Sequence, residues 1–488
     1  MFLSMKLKTN TIVFYLFVFF QIIIIQFSTH HIETLDWDIN AFLVTGMEFG
    51  RGNLPYEFQY ENKPPLLFFF FYLFSIITGK NLFFIKIIND FILFLILIMM
   101  SNLYKKNVES AFAKYTPPIL FLLFTSNVWF HPNYSEYLVI LFIALAQIFN
   151  NKNDSIINSF LTGLSIGVAS LINIGSVIFL ISFIFIINLQ RGINLLRTLT
   201  LSFSFLIPHL LMLSIYAYNN LVKEYFMALI EVPLSYQSTS FSFTSALTVF
   251  FVALENYNSY IYILLLISIA FLIYKTVDKF RHKNHRYNYE FIEIVILCIT
   301  SLLFFLLAGK GYYHHLLFFL YFLSFSTKWI SKDRNKFIII FIILISLIGV
   351  NLQTSPMTLA NLRNIDNIQK NYPMFQIALD LKKDISKDDN IFSTNNILLL
   401  YYLDKPNSSY IVHPALFNYQ EITNILIKYE KIKDDELKDN IQKSPKIIEL
   451  NTDEISLSKY KKLETNYIDY ELLNYWSKNN FLHIYIKR

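Results

Sequence analysis

Apolar runs long enough to approach a membrane thickness recur along most of this chain, separated by short polar connections. The first, from Thr11 to Phe27, follows Lys6 and Lys8. It is longer than a signal-peptide core and no small-residue cleavage site follows it, so it reads as an uncleaved membrane anchor. Further runs at roughly 82–102, 116–130, 135–150, 156–172, 174–189, 197–218, 258–274, 290–308, 313–327 and 336–352 predict helices, about eleven crossings in all.

The lysines and arginines test this count, because short cytoplasmic loops carry an excess of them. Lys105, Lys106 and Lys114; Lys152; Arg191 and Arg197; Lys275, Lys279, Arg281, Lys283 and Arg286; and Lys328, Lys332, Arg334 and Lys336 fall on one side if the crossings alternate. The alternation requires that Leu66–Ile77 does not cross. At about 1.5 Å per residue that segment reaches only some 18 Å, short of the hydrocarbon core, and is expected to be interfacial or re-entrant. The amino terminus is then cytoplasmic, and the loops 30–81, 131–134, 219–257 and 309–312, with everything after about 353, face away from the cytoplasm.

Beyond residue 352 the pattern changes. Charged residues rise, and β-type runs at Asn390–Ser393, Ser409–Val412, Lys446–Leu450 and Phe481–Ile486 alternate with helical stretches. The expected organisation is an all-α polytopic membrane domain over 1–352, with interfacial helices, followed by a soluble extracytoplasmic α/β domain over 353–488.

Composition agrees: 55% of residues are hydrophobic and 16% charged, with a mean hydropathy of +0.44, which excludes one water-soluble core. The net charge of +6 sits in loop clusters, so topology explains it and nucleic acid is not expected as a partner. Cys298 is the only cysteine and lies in an apolar run, which excludes a disulfide framework or a Cys-based metal site.

Candidate chemistry gathers in the first outward loop, where Asp36-Trp37-Asp38, Gly52-Asn53-Leu54-Pro55-Tyr56 and Lys63-Pro64-Pro65 lie within about thirty residues. A carboxylate can take a hydroxyl proton and a lysine can hold a phosphate. A helix-like stretch from Ala41 to Phe49 and the Leu-Pro-Tyr turn could bring the two together. Taken singly, the aspartates could merely mark the membrane exit, and Lys63 could snorkel while its prolines start a helix. Glu136, in Asn133-Tyr134-Ser135-Glu136, stands at a helix start, where the dipole stabilises a carboxylate. Lys310, Tyr312, Tyr313, His314 and His315 form a basic, aromatic patch suited to a phosphate or a headgroup, or simply to an interfacial belt. A metal held by His131, His314 and His315 is poorly supported, since no ligand-spacing motif joins them, and no cofactor is expected.

These motifs, in this order, resemble the glycosyltransferase C superfamily, and more narrowly its bacterial branch related to protein O-mannosyltransferases and the lipid A aminoarabinose transferase. The resemblance covers about residues 10–352. It implies an inverting membrane enzyme that moves a sugar from a polyprenyl-phosphate donor to an acceptor hydroxyl of a glycan, lipid or protein, on the extracytoplasmic face of the inner (plasma) membrane. Asp38 matches the catalytic carboxylate, with Asp36 competing. Lys63, Lys310 with His314 and, more weakly, Arg51 match phosphate or substrate contacts, and Glu136 matches the second acidic position. Many relatives carry Glu directly after the first-loop Asp, where this chain has Ile39, and Asn173 is a second departure.

Other readings stay open. A lipid-linked sugar flippase or transporter should show mid-membrane charges and repeated halves, neither of which is visible. A ligase or polymerase using similar donors would concentrate its motif in a late outward loop. A non-catalytic relative that binds a lipid-linked sugar has Ile39 as its hint.

Overall fold

The computed structural model describes residues 2–34, 36–103, 111–127, 130–152, 155–238, 259–281, 289–307, 312–330, 336–434, 445–450, 470–476 and 481–487, with short islands at 244, 247–248, 251–252, 436, 439–440 and 443. These residues are mostly helical. Among the described residues, six helices are long and apolar enough to cross a membrane: Asn10–Thr29, Leu82–Asn102, Ile174–Arg191, Leu195–Tyr218, Tyr289–Leu306 and Ile340–Arg363. Shorter apolar helices include Pro65–Ile77, Ser135–Asn150, Ile156–Ser170 and Ile261–Val277. The chain is a multi-pass membrane protein, and the expected count of eleven would need shorter helices to cross as well.

Two compact units partition the chain. The first comprises Met1–His30, Lys86–Met212 and Ser240–Arg363. Its outer surface is apolar: Leu199, Phe203, Leu206, Leu210 and Leu211 are all exposed on the Leu195–Tyr218 helix, as suits a lipid-facing stripe. Inside, small residues allow close helix approach. A Cβ on Gly163 would lie 2.1 Å from the Leu201 carbonyl oxygen, and one on Gly167 would lie 2.4 Å from that of Phe205. The Gly-x-x-x-Gly spacing puts both glycines on one face of Ile156–Ser170, so the two backbones touch. Polar side chains add bonds between segments: Asn89 Nδ2 donates to Asn133 Oδ1, in a turn, at 2.8 Å, and the Tyr321 hydroxyl donates between helices to Gln147 Oε1 at 2.8 Å.

The second unit comprises His31–Ile85, Leu213–Thr239 and Asn364–Arg488. Two helices, Trp37–Gly50 and Pro65–Ile77, pack with Phe42 against Phe68 and Phe71, and Gly46 admits the Phe68 carbonyl. The carboxy-terminal segment adds a four-stranded sheet in the order β1-β2-β4-β3, from β1 (Ile391–Ser393), β2 (Ile447–Leu450), β3 (Tyr470–Trp476) and β4 (Phe481–Lys487). β1 and β2 are parallel, and the other neighbours antiparallel. Three of the four β-type runs read from sequence are strands, whereas Ser409–Val412 is not. Its Ile411 instead makes an isolated parallel bridge to Tyr60.

Candidate functional site

The first-loop residues are placed by a helix cap. Asp36 has extended backbone and accepts the Asp38 N–H at 3.1 Å, the usual work of an Asp at a helix N-cap. That bond occupies one Asp36 oxygen and turns Asp38 onto the first turn, where the helix dipole favours its charge. The Asp38 side chain retains 20% exposure.

The return of the loop is tied to the carboxy-terminal segment by main-chain bonds. Tyr60 N–H donates to the Tyr410 carbonyl at 2.6 Å, and Val412 N–H donates back to the Tyr60 carbonyl at 3.0 Å. Gln59 Nε2 reaches the carbonyls of Asn407 at 2.8 Å and Ser409 at 3.2 Å, and the Tyr410 hydroxyl donates to the Tyr56 carbonyl at 2.6 Å. This ladder delivers His413, whose Nε2 stands 2.9 Å from Asp38 Oδ1. His413 Nδ1 accepts the Ala415 N–H at 3.1 Å, which fixes the neutral ring as the Nε2–H tautomer donating to Asp38. The Trp37 ring meets the His413 ring edge-on at 6.5 Å.

Glu61 and Lys63 complete this cluster. Glu61 is 3% exposed, and its Oε2 has no hydrogen-bond partner among the described residues. Burial pushes the Glu61 carboxyl up to about 7, and the Asp38 charge adds to the rise against the pull of His413 and Lys63. For His413, burial alone would lower the imidazole, but Glu61 first and Asp38 second carry it above its ordinary value. Protonation on Nδ1 would cost the Ala415 bond, so the acidic neighbours and the cap oppose each other at this ring. Pro65 opens the Pro65–Ile77 helix at its first position, and Lys63, just ahead of it, sets its ammonium 5.9 Å over the Phe42 ring. Asp38 and Lys63 belong to the same compact unit.

Arg51 lies at the other end of the same helix. It pairs with the buried Glu48 and stands 3.8 Å from Asp404, so two carboxylates already balance its charge.

Glu136 and His314 belong to the first unit. Glu136 sits in the first turn of Ser135–Asn150, fully buried. Its Oε1 accepts from Asn173 Nδ2 at 3.1 Å and lies 3.9 Å from His315 Nε2, while its Oε2 accepts from the Ser135 hydroxyl at 3.2 Å. His314 and His315 are held in a 3-10 turn, Tyr313–Leu316. The His314 ring stacks on Tyr134 at 4.5 Å and on Tyr312 at 5.6 Å. Lys310 lies outside the described residues.

Sequence reasoning did not select His413, Glu61 or Asn173 as partners in these clusters. Glu61 had a local signal, since it stands two positions before Lys63. His413 had only a histidine-proline pair ending a β-type run, and its nearness to Asp38 is created by pairing across 375 positions.

The fold is shared with known membrane proteins. It is similar, at a TM-score of 0.61 and 12% identity over 98% of both chains, to the crystal structure of ArnT from Cupriavidus metallidurans bound to undecaprenyl phosphate. A second similar structure is the archaeal oligosaccharyltransferase AglB from Archaeoglobus fulgidus in complex with an inhibitory peptide and a dolichol-phosphate, at a TM-score of 0.48 and 10% identity, covering 98% of this chain and 74% of that one. No protein-family model and no curated protein sequence matches the chain.

Proposed function

We propose that this protein is an integral membrane glycosyltransferase. It moves one sugar from a polyprenyl-phosphate donor to an acceptor hydroxyl on the extracytoplasmic face, with its carboxy-terminal α/β segment on that face. The observation that carries this reading is the oriented Asp38 carboxylate, held by His413 at 2.9 Å and still partly exposed, in the same loop cluster as Lys63.

The chemistry follows from these groups. The acceptor oxygen forms a bond to the anomeric carbon as the bond from that carbon to the phosphate oxygen breaks. The hydroxyl proton passes to Asp38, and the electron pair leaves with the lipid phosphate, which Lys63 neutralises. Attack opposite the leaving group inverts the anomeric centre. The His413 N–H, 2.9 Å from Asp38 Oδ1, orients the carboxylate that takes the proton. The ArnT structure contains a polyprenyl phosphate, which supports the choice of donor class; the fold alone does not fix the reaction.

The test is transfer of radiolabelled sugar from a panel of polyprenyl-phosphate sugars into membrane extracts by purified protein. Wild type is expected to label one acceptor class, with Asp38→Asn reduced at least ~100-fold, the scale of a lost general base. Equal transfer by wild type and by both Asp38→Asn and Lys63→Ala would overturn the assignment.

A further inference from the structure

We propose that Glu136, His314 and His315 form a binding site for one divalent transition-metal ion, with zinc the best match. The inference does not depend on the transfer reaction. Glu136 Oε, a ring nitrogen of His314 and one of His315 all lie within 4.8 Å of one another. A tetrahedral ion with bonds of about 2.0–2.2 Å requires ligand atoms about 3.4 Å apart. The 3.9 Å from His315 Nε2 to Glu136 Oε1 is already near that edge, so small ring rotations close the set.

The surroundings are built like an outer shell. Glu136 is fully buried, and its two oxygens are oriented by Asn173 and Ser135. Hydrogen-bonded outer partners of this kind fix ligating carboxylates. The two imidazoles are packed against aromatic rings. His314 stacks with Tyr134 and with Tyr312, and the Phe304 ring meets His315 edge-on at 5.4 Å. Neighbouring histidines would diverge on a strand, where side chains alternate. Here the 3-10 turn sets their rings 82° apart with centroids separated by 4.7 Å, which lets both address one point.

Two imidazoles and a carboxylate suit zinc, and three protein ligands leave a fourth position for water or an anionic oxygen. The set contains no thiolate, and Cys298, the only cysteine of the chain, is buried in another helix. Asn173 thereby acquires a reason: it orients the carboxylate without adding a second charge.

The experiment is elemental analysis of the full-length protein, purified in detergent through a tag without histidines and dialysed against metal-free buffer containing zinc. Wild type is expected to retain about one zinc per chain, and Glu136→Gln and His315→Asn to fall to background while eluting as wild type on gel filtration. Zinc X-ray absorption on wild type decides the matter even if both variants misfold, because it counts imidazole neighbours. Two imidazoles at the zinc support the site. Metal-free wild type after zinc exposure, fewer than two imidazoles, or full retention by a folded Glu136→Gln variant would overturn it.

Discussion

Replacing Glu61 with glutamine keeps the side-chain volume and removes a buried ionisable group. Its carboxyl rises from 4.5 to about 7, chiefly because the charged form is taken out of water. A difference of about 2.5 pH units, at 1.36 kcal/mol each, is about 3 kcal/mol, an upper figure for what ionised Glu61 costs the folded state. The sign is definite. Below pH ~4.5 the carboxyl is protonated folded or unfolded and costs nothing. As pH rises toward 7 the unfolded chain ionises first, stability falls, and the fall levels off once the folded carboxyl has also ionised. His413 acts in the same direction: its raised value adds stability below the ordinary imidazole range and loses it as pH passes the folded value. Wild type should therefore melt higher at pH 5 than at pH 8. Glu61→Gln should be near neutral at pH 5 and more stable by about 1–3 kcal/mol at pH 8, a rise of a few degrees in Tm. Intrinsic fluorescence melting in detergent, with Trp37 beside the cluster, reads this directly. A wild-type Tm that climbs from pH 5 to pH 8, or a Glu61→Gln variant equally destabilised at both, would refute the reasoning.

Two further outcomes are expected. His413→Ala removes the donor to Asp38, a hydrogen bond to a charged group worth about 1.5–3 kcal/mol, so kcat should drop roughly 10- to 100-fold with KM for the lipid donor little changed; full kcat would show that Asp38 needs no orienting partner. Gly163→Val would drive a side chain into the Leu201 carbonyl, since even a Cβ there would lie 2.1 Å away. The backbone cannot yield cheaply, so monodisperse protein on gel filtration should be lost, whereas Gly52→Asn, at φ +82° with open space around it, meets only backbone strain, which Asn bears better than most residues, and should keep the protein monodisperse.

What the sequence reveals is local, and what it hides is distant. The helix from Trp37 to Gly50 was legible from 41–49, and the start at Pro65 from its prolines, because caps and proline act within one turn. Glu136 at a helix start was legible for the same reason. β1, β2 and β4 showed themselves as β-type runs, but β3, Tyr470–Trp476, did not, because Glu471 and Asn474 interrupt its apolar pattern. The sequence suggests two arrangements that the fold alters. Ser409–Val412 has strand composition, yet its partner is the loop at Tyr60 rather than the sheet. The adjacent histidines 314 and 315 look divergent until a 3-10 turn is known. Asp38 and Lys63 share a loop and could both be picked out by reading, whereas His413 could not.

The Tyr60–Val412 ladder also has a consequence for biosynthesis. Asp38 leaves the ribosome 375 residues before its partner His413. At about 5–20 residues per second, that interval lasts roughly 20–75 s. Throughout it, the helices of the amino-terminal half can insert while the carboxylate has no imidazole to orient it. A nascent chain can thus be in the membrane well before its Asp38–His413 contact can form, and a chain released after its last membrane helix but before His413 would never form it.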